Sequence, residues 1–147
     1  MIYSVVYGSS IILGGIEKIL SLVFLKTREH LEAAERKLLS LLMPEGLLEY
    51  FQILEVDQVE DQLHIYLDEL NITPAGYENS NLESKGFMPS TEISDFPIRG
   101  QKVTLHIRRR RWTVLDTGEI ITRDWNLVRE GTRMTTEFGL FLKKIFG

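Results

Sequence analysis

The sequence predicts an α+β fold in which a long N-terminal helix and a C-terminal helix flank a small antiparallel β-sheet built from hairpins. Apolar residues recur at three- and four-residue steps before Pro44, alternate with polar residues over much of the stretch from Phe51 to Trp125, and return to helical spacing near the C-terminus. The 147 residues suit one domain, because a chain of that length buries about two thirds of its unfolded surface.

The first 25 residues are strongly apolar, with Glu17 and Lys18 as their only charged residues. Two charges near the middle of this stretch disfavour a membrane span. The stretch also lacks the basic start and the clear cleavage site of a signal peptide. We therefore expect the N-terminus to form an apolar, helical extension.

Residues 17–43 are predicted to form a long helix, because Leu31, Ala34, Leu38 and Leu41 follow helical spacing. Its leucine content is compatible with a heptad zipper, although the pattern is short. Pro44 ends this helix, since proline cannot continue it, and residues 46–51 are left for at most two further turns.

From Phe51 onward apolar and polar residues alternate with a period of two, which is typical of β-strands. Residues 53–59 and 63–67 are predicted to form a hairpin around the polar stretch 60–62, and residues 71–89 to form a loop. Residues 101–115 form the clearest strand, followed by a tight turn at 116–118 and a return strand over 119–125. Residues 135–146 are predicted to form a helix, with Glu137 in the first turn and Lys143 and Lys144 in the last.

The chain contains no cysteine, which excludes disulfides, cysteine-ligated zinc and thiol catalysis. The three histidines, His30, His64 and His106, do not form a metal-ligand spacing, and we expect each to be exposed to solvent on a polar face. The carboxylates form no recognisable acidic trio for two-metal chemistry. We therefore expect no catalytic residue, no metal site and no cofactor.

The two parts of the chain differ strongly in charge. Residues 1–96 hold 6 basic and 16 acidic residues, a balance of −10, whereas residues 97–147 hold 11 basic and 5 acidic residues, a balance of +6. This asymmetry indicates a C-terminal part that faces a polyanion.

Four consecutive arginines, Arg108 to Arg111, are the main candidate for that contact. In an unbroken strand Arg108, Arg110 and Trp112 share the face of Lys102 and His106, which predicts a basic stripe that ends in an aromatic ring. Three alternatives stay open: a solvated edge strand, a contact with the acidic part of another copy, and an anionic membrane surface.

Several further basic residues lie near the run in sequence. The predicted DNA-binding residues are Arg99, Lys102, Arg108, Arg109, Arg110, Arg111, Trp112, Arg123, Arg129 and Arg133. Trp125 is interpreted instead as a packing residue.

Six motifs follow one another in an order that resembles a known protein family. They are LLMPEGLLEYF at 41–51, ESKGF at 83–87, DFPIRG at 95–100, LHIRRRRW at 105–112, RDWNL at 123–127 and GTRMT at 131–135. Together they resemble the short N-terminal region protein of ISAon-type insertion-sequence transposases. The resemblance spans residues 38–142, which implies a domain of residues 38–147 preceded by an N-terminal extension of residues 1–37. Because residues 1–37 lie outside the resemblance, we expect an unusual or misassigned start.

Transposases of a wider, related group begin with a zinc ribbon. The residues of this chain at the corresponding positions are the turn Asp95-Phe96-Pro97 and the basic strand Arg108 to Arg111, with Trp112 and Thr113 where a cysteine would stand. The resemblance therefore implies a zinc-ribbon-like module without zinc, in which Phe87, Trp112 and Trp125 supply apolar packing instead.

The resemblance also implies a function. The chain would be the non-catalytic DNA-binding part of a split transposase in the bacterial cytoplasm, associated with the nucleoid when bound to insertion-sequence ends. The catalytic aspartate–aspartate–glutamate domain would then be a separate subunit and a partner, and a homodimer is a further expected assembly. The alternative is a protein–protein adaptor, whose acidic half or leucine-rich helix docks the catalytic subunit.

Overall fold

A computed structural model describes the backbone of residues 3–125 and 133–147, and the side chains of residues 14–125 and 133–147. The chain divides into two compact units, Met1–Leu42 and Met43–Gly147. The predicted α+β class is confirmed, because a long N-terminal helix, two small sheets and a C-terminal helix account for the described elements.

The first unit is a single helix, α1, which spans Tyr3–Leu42. It begins fourteen residues before the predicted start at Glu17, because a glycine costs only about 1 kcal/mol in a helix and Gly14 and Gly15 do not end it. It ends two residues before Pro44, whose ring disfavours helical geometry in the preceding residue. No helix among the described residues is both long enough and apolar enough to cross a membrane.

The second unit contains two sheets and two helices. The first sheet has the order β1-β2-β5-β4, and the second has the order β3-β6-β7. The elements are α2 (Leu47–Tyr50), β1 (Phe51–Val59), β2 (Gln62–Glu69), β3 (Leu82–Phe87), β4 (Thr91–Ile98), β5 (Gln101–Arg108), β6 (Arg110–Val114), β7 (Ile120–Thr122) and α3 (Thr136–Phe146). The hairpins β1–β2 and β4–β5 are antiparallel, and a parallel pairing of β2 with β5 joins them.

The core of the first sheet follows the predicted alternation. Val103, Leu105 and Ile107 of β5 are buried and lie beside Leu63, Ile65 and Leu67 of β2. This sheet belongs to a core cluster that also contains the buried residues Met43, Leu47 and Phe51, with Trp125 packed against it. The rings of Tyr50 and Phe51 meet Trp125 edge-on at 5.2 and 5.4 Å, which confirms its interpretation as a packing residue.

Three strand predictions differ from the structure. The predicted loop over residues 71–89 contains β3, which pairs with β6, and the predicted return strand over 119–125 is only the three-residue strand β7. The predicted strand over 101–115 is divided into β5 and β6 at Arg109, which belongs to neither. Its two halves therefore pair in different sheets.

The second sheet has its own small core of Trp112, Val114 and Ile121, with Tyr77 and Leu82 packed against it. The indole of Trp112 is 2% exposed, and its Nε1–H donates to Asn71 Oδ1 at 3.0 Å. The expected joint packing of Phe87, Trp112 and Trp125 is wrong, since the two tryptophans lie in different clusters and Phe87 contacts arginine side chains. These three residues therefore do not form a single apolar cluster in the position where a zinc ribbon holds its metal ion.

Helix α3 is attached to β4 through a buried hydrogen-bond chain. Thr135, the N-cap residue, accepts from the backbone N–H of Phe138 and donates to Asp95 Oδ1 at 2.7 Å. Burial of Asp95 raises the pKa of its carboxyl group, although the hydrogen bond from Thr135 partly opposes that effect. Phe96 of β4 packs against Phe138 and Phe141 of the helix.

Candidate nucleic-acid interface

The arginine run crosses from the first sheet to the second, and this crossing decides which way each side chain points. In β5 the odd-numbered residues Val103, Leu105 and Ile107 are buried and Arg108 is exposed. In β6 the even-numbered residues Trp112 and Val114 are buried and Arg111 is exposed. The phase of the alternation changes at Arg109. The predicted stripe of Arg108, Arg110 and Trp112 on one face is therefore wrong.

Arg108 forms a forked ion pair with Asp68, its neighbour in the parallel pairing of β2 and β5. Its Nε and one terminal nitrogen donate to the two carboxylate oxygens of Asp68, each at 2.6 Å. The carboxylate is 8% exposed, while the arginine side chain is 47% exposed. The hydrogen bond to Asp68 raises the pKa of Arg108 above its ordinary value, so the guanidinium stays charged.

Glu69 is the centre of a second, buried cluster. Its side chain is 1% exposed and accepts from Arg123 Nε at 2.9 Å and from the backbone N–H of Arg110 at 2.8 Å. Arg123 also donates to the carbonyl of Ile72, and its guanidinium lies 4.4 Å from the ring centre of Tyr50. Arg123 is therefore a structural residue that joins β2 to the segment after β7.

Arg109 and Arg110 are also used within the fold. A terminal nitrogen of Arg109 donates to the carbonyl of Arg123, and the carbonyl of Arg109 accepts from the N–H of Met88. Arg110 donates through its side chain to the carbonyl of Glu69 at 3.2 Å and to Ser84 Oγ at 2.7 Å. Both side chains are half-buried, and that of Arg110 joins β2 of the first sheet to β3 of the second.

Phe87, at the end of β3, contacts two guanidinium groups of the run. Those of Arg108 and Arg110 lie 4.8 and 4.5 Å from its ring centre, within the range of cation–π attraction. This contact fixes the two arginines relative to the edge of the second sheet. The aromatic ring that accompanies the arginine run is therefore Phe87. The prediction that Trp112 has this position is wrong, because Trp112 is buried.

Arg111 differs from its three neighbours. Its side chain is exposed, and its one hydrogen bond among the described residues runs from Nε to the carbonyl of Lys85 at 3.1 Å. Within the described part of the chain neither terminal nitrogen of Arg111 has a hydrogen-bond partner, so both can donate to an external anion.

The arginine cluster keeps an excess of positive charge. We define it as Arg108, Arg109, Arg110, Arg111 and Arg123 together with the carboxylates Asp68 and Glu69. Five guanidinium groups against two carboxylates leave a charge of +3 at the junction between the two sheets. The guanidinium groups of Arg108 and Arg111 are the exposed ones, and of these two only Arg108 has a carboxylate partner in the cluster, Asp68.

A groove of about 390 Å³ lies beside Arg108 on the outer face of the first sheet, lined in part by Glu55, Glu92 and Asp68. Three carboxylates against one guanidinium make the groove unsuitable for a phosphate. An approaching polyanion is expected to meet Arg111 and the outer rim of Arg108 rather than the groove floor.

The remaining predicted basic residues do not join the arginine cluster. Arg99 lies at the tip of the β4–β5 hairpin, where Arg99 and Gly100 both adopt positive φ as a two-residue primed turn requires. Lys102 follows it and is exposed. Lys102 and Arg108 share a face of β5 but lie about 20 Å apart along the strand. Arg133 is exposed beside β4, and Arg129 lies outside the described residues.

The prediction that His64 and His106 are solvent-exposed side chains is wrong, because the two rings contact each other and both are partly buried. His64 Nδ1 and His106 Nε2 lie 2.9 Å apart in a hydrogen bond, and the ring of His106 stacks on Tyr66 at 4.4 Å. The parallel pairing of β2 and β5 places Tyr66 directly beside His106, and His64 lies two residues before Tyr66 on the same face of β2. Among the described residues no group of three histidine, aspartate or glutamate side chains could hold a metal ion.

Sequence reasoning missed Asp68, Glu69 and Phe87 as parts of the site. A signal was present, because four adjacent arginines need compensating carboxylates, and Asp68-Glu69 is a carboxylate pair at the end of a strand. The two segments are about 40 residues apart in sequence, so only the parallel pairing connects them.

Comparisons with known proteins add no relative. No family model matches the chain, and neither a curated protein nor a solved structure matches it. The resemblance to ISAon-type transposase proteins therefore remains a prediction.

Proposed function

We propose that the chain is the non-catalytic DNA-binding part of a split insertion-sequence transposase, which recognises element ends and acts beside a separate catalytic subunit. The observation that carries the proposal is the charge of +3 on the arginine cluster, with Arg108 and Arg111 at its surface. A phosphate backbone is the polyanion that such exposed guanidinium groups bind best.

In the proposed contact with DNA the arginines have two different roles. Arg109, Arg110 and Arg123 shape the junction through internal hydrogen bonds, and Arg108 and Arg111 neutralise phosphates. Arg99, Lys102 and Arg133 extend the basic surface, since a duplex carries one negative charge per about 1.7 Å and can follow a face for 20 Å or more. Contacts of this kind position a protein on DNA, and base contacts add specificity.

The test is a binding titration of the full chain against two duplexes of equal length. One carries the terminal sequence of the element that encodes the chain, and the other carries the same bases in scrambled order. The proposal expects binding to both, with tighter binding to the terminal sequence and an affinity that falls steeply with salt. Equal affinities for the two duplexes would contradict the proposed recognition of element ends. An affinity that does not change with salt would contradict the proposed contact with phosphates.

The alternative is an adaptor that docks the catalytic subunit. Apolar surface on α3 favours it, because Leu140, Phe141, Ile145 and Phe146 are between 44% and 82% exposed. A titration that detects no DNA binding, together with co-purification of the catalytic chain through α3, would put the adaptor first.

A further inference from the structure

Helix α1 carries a long apolar seam. From Leu20 the residues Leu20, Phe24, Thr27, Leu31, Ala34, Leu38 and Leu41 follow one another at alternating steps of four and three. These are the a and d positions of three heptads, with Phe24, Leu31 and Leu38 at a and the others at d, where Thr27 is the one polar residue. Within one straight helix these positions form a single stripe.

The seam residues of α1 are exposed. The five large seam residues Leu20, Phe24, Leu31, Leu38 and Leu41 are between 59% and 71% exposed, and every described side chain from residue 14 to residue 42 is exposed. A helix in water takes most of its stability from packing of its apolar face. A forty-residue helix with this face in solvent therefore needs a partner.

The area of the seam matches what a second copy could bury. With Ile16, Val23 and Leu42 at its flanks, the exposed apolar surface is on the order of 800 Å² per chain, close to the roughly 800 Å² per partner of a stable interface. A self-complementary stripe presents the same knobs and holes to an identical stripe. The flanking residues are compatible with a parallel pair, because no like charges meet across it: Val23, His30 and Lys37 at g would lie opposite Arg28, Glu35 and Leu42 at e of the second copy.

We propose that α1 is a self-association surface and that the chain forms a homodimer through a two-stranded coiled coil along Leu20 to Leu41. The inference does not rest on the DNA-binding proposal, because no seam residue belongs to the arginine cluster. A dimer carries two such clusters, which would raise the effective concentration of the second cluster once the first has bound DNA.

The experiment is sedimentation equilibrium of the full chain and two double variants over a hundred-fold range of concentration. The seam variant is Leu31→Glu with Leu38→Glu. The matched control is Leu25→Glu with Leu39→Glu, which removes two leucines and adds the same charges at b positions of the same helix, where they are 52% and 40% exposed. Trp112 and Trp125 are the only tryptophans, and both lie in the second unit, so their fluorescence checks that unit independently.

The proposal expects the wild-type chain and the control to sediment at twice the 17.0 kDa monomer mass. The seam variant should dissociate at least about 100-fold more readily, because each substitution acts in both chains. Circular dichroism at 222 nm should depend on concentration for the wild type, since α1 supplies 40 of the 55 described helical residues.

Three results would overturn the proposal. A wild-type chain that is monomeric throughout assigns the seam to another occupant, identified as lipid if the chain then binds anionic vesicles or as a different protein if it does not. A seam variant that remains dimeric, or a control as disruptive as the seam variant, places the interface elsewhere.

Discussion

Removing the charge of Glu69 should destabilise the second unit more than any other single carboxylate change in the arginine cluster. The change is Glu69→Gln, which keeps the shape of the side chain but leaves the guanidinium of Arg123, 10% exposed, without an anion. The amide also cannot accept as well from both Arg123 Nε and the N–H of Arg110.

Breaking a buried ion pair by removing one partner costs about 3–5 kcal/mol. For a unit of about 100 residues, each kcal/mol lowers the melting temperature by about 4–8 °C, so a drop of at least about 12 °C is expected. Thermal unfolding followed by tryptophan fluorescence measures it, because Trp112 and Trp125 both lie in this unit.

Two further variants separate the buried pair from an exposed one. Asp68→Asn should cost much less, because Arg108 is 47% exposed and water can solvate it. Glu69→Leu combined with Arg123→Met should recover at least half of the loss, since replacing both charges removes the uncompensated ion. A Glu69→Gln variant within about 1 kcal/mol of wild type, or a double variant as unstable as the single one, would refute the reasoning.

Four other predictions concern the stability of the fold, the N-terminal extension, zinc and DNA cleavage. Asp95→Asn should stabilise the protein at about pH 7 and by less at about pH 3, because burial raises the pKa of Asp95, and the cost of ionising it in the fold is present above that pKa and relieved below it; equal effects at both pH values in thermal melts would contradict this. A chain that begins at residue 30 should keep the tryptophan-monitored melting transition of the full chain within error, since the second unit begins at Met43, and loss of folding would place the apolar extension in the core. Purified protein should contain no stoichiometric zinc, because the chain has no cysteine, and zinc found by elemental analysis would contradict that prediction. The protein should also leave duplex DNA intact with magnesium or manganese, and cleavage that co-purifies with the chain and is lost on mutating a carboxylate would contradict the accessory role.

The sequence predicts the local elements well where the period is regular. The alternation of Val103, Leu105 and Ile107 identifies β5 and its buried face, and Pro44 marks the end of α1 to within two residues. The break at Arg109 has no such signal, because the run of arginines contains neither glycine nor proline. One residue outside the strands is enough to turn Trp112 from the predicted outer face into the core.

The arginines could be identified from the sequence, but their roles could not. Which guanidinium groups are internal depends on the parallel pairing of β2 and β5, which brings Asp68 beside Arg108 across 40 residues. A parallel pair is joined by a long connection and has no hairpin signature. The pairing of His64 with His106 and the cluster around Glu69 depend on that same register.

The most direct test of the central claim is the salt dependence of DNA affinity for two charge-matched double variants. Arg108→Ala with Arg111→Ala removes the two exposed guanidinium groups of the cluster, and Lys143→Ala with Lys144→Ala removes two exposed cations from α3. Each phosphate contact contributes about 0.9 to the slope of log affinity against log salt, so the arginine variant should flatten it by about 1–2 units while the lysine variant leaves it unchanged. An unchanged slope in the arginine variant, or an equal change in both, would contradict the claim that Arg108 and Arg111 bind the phosphate backbone.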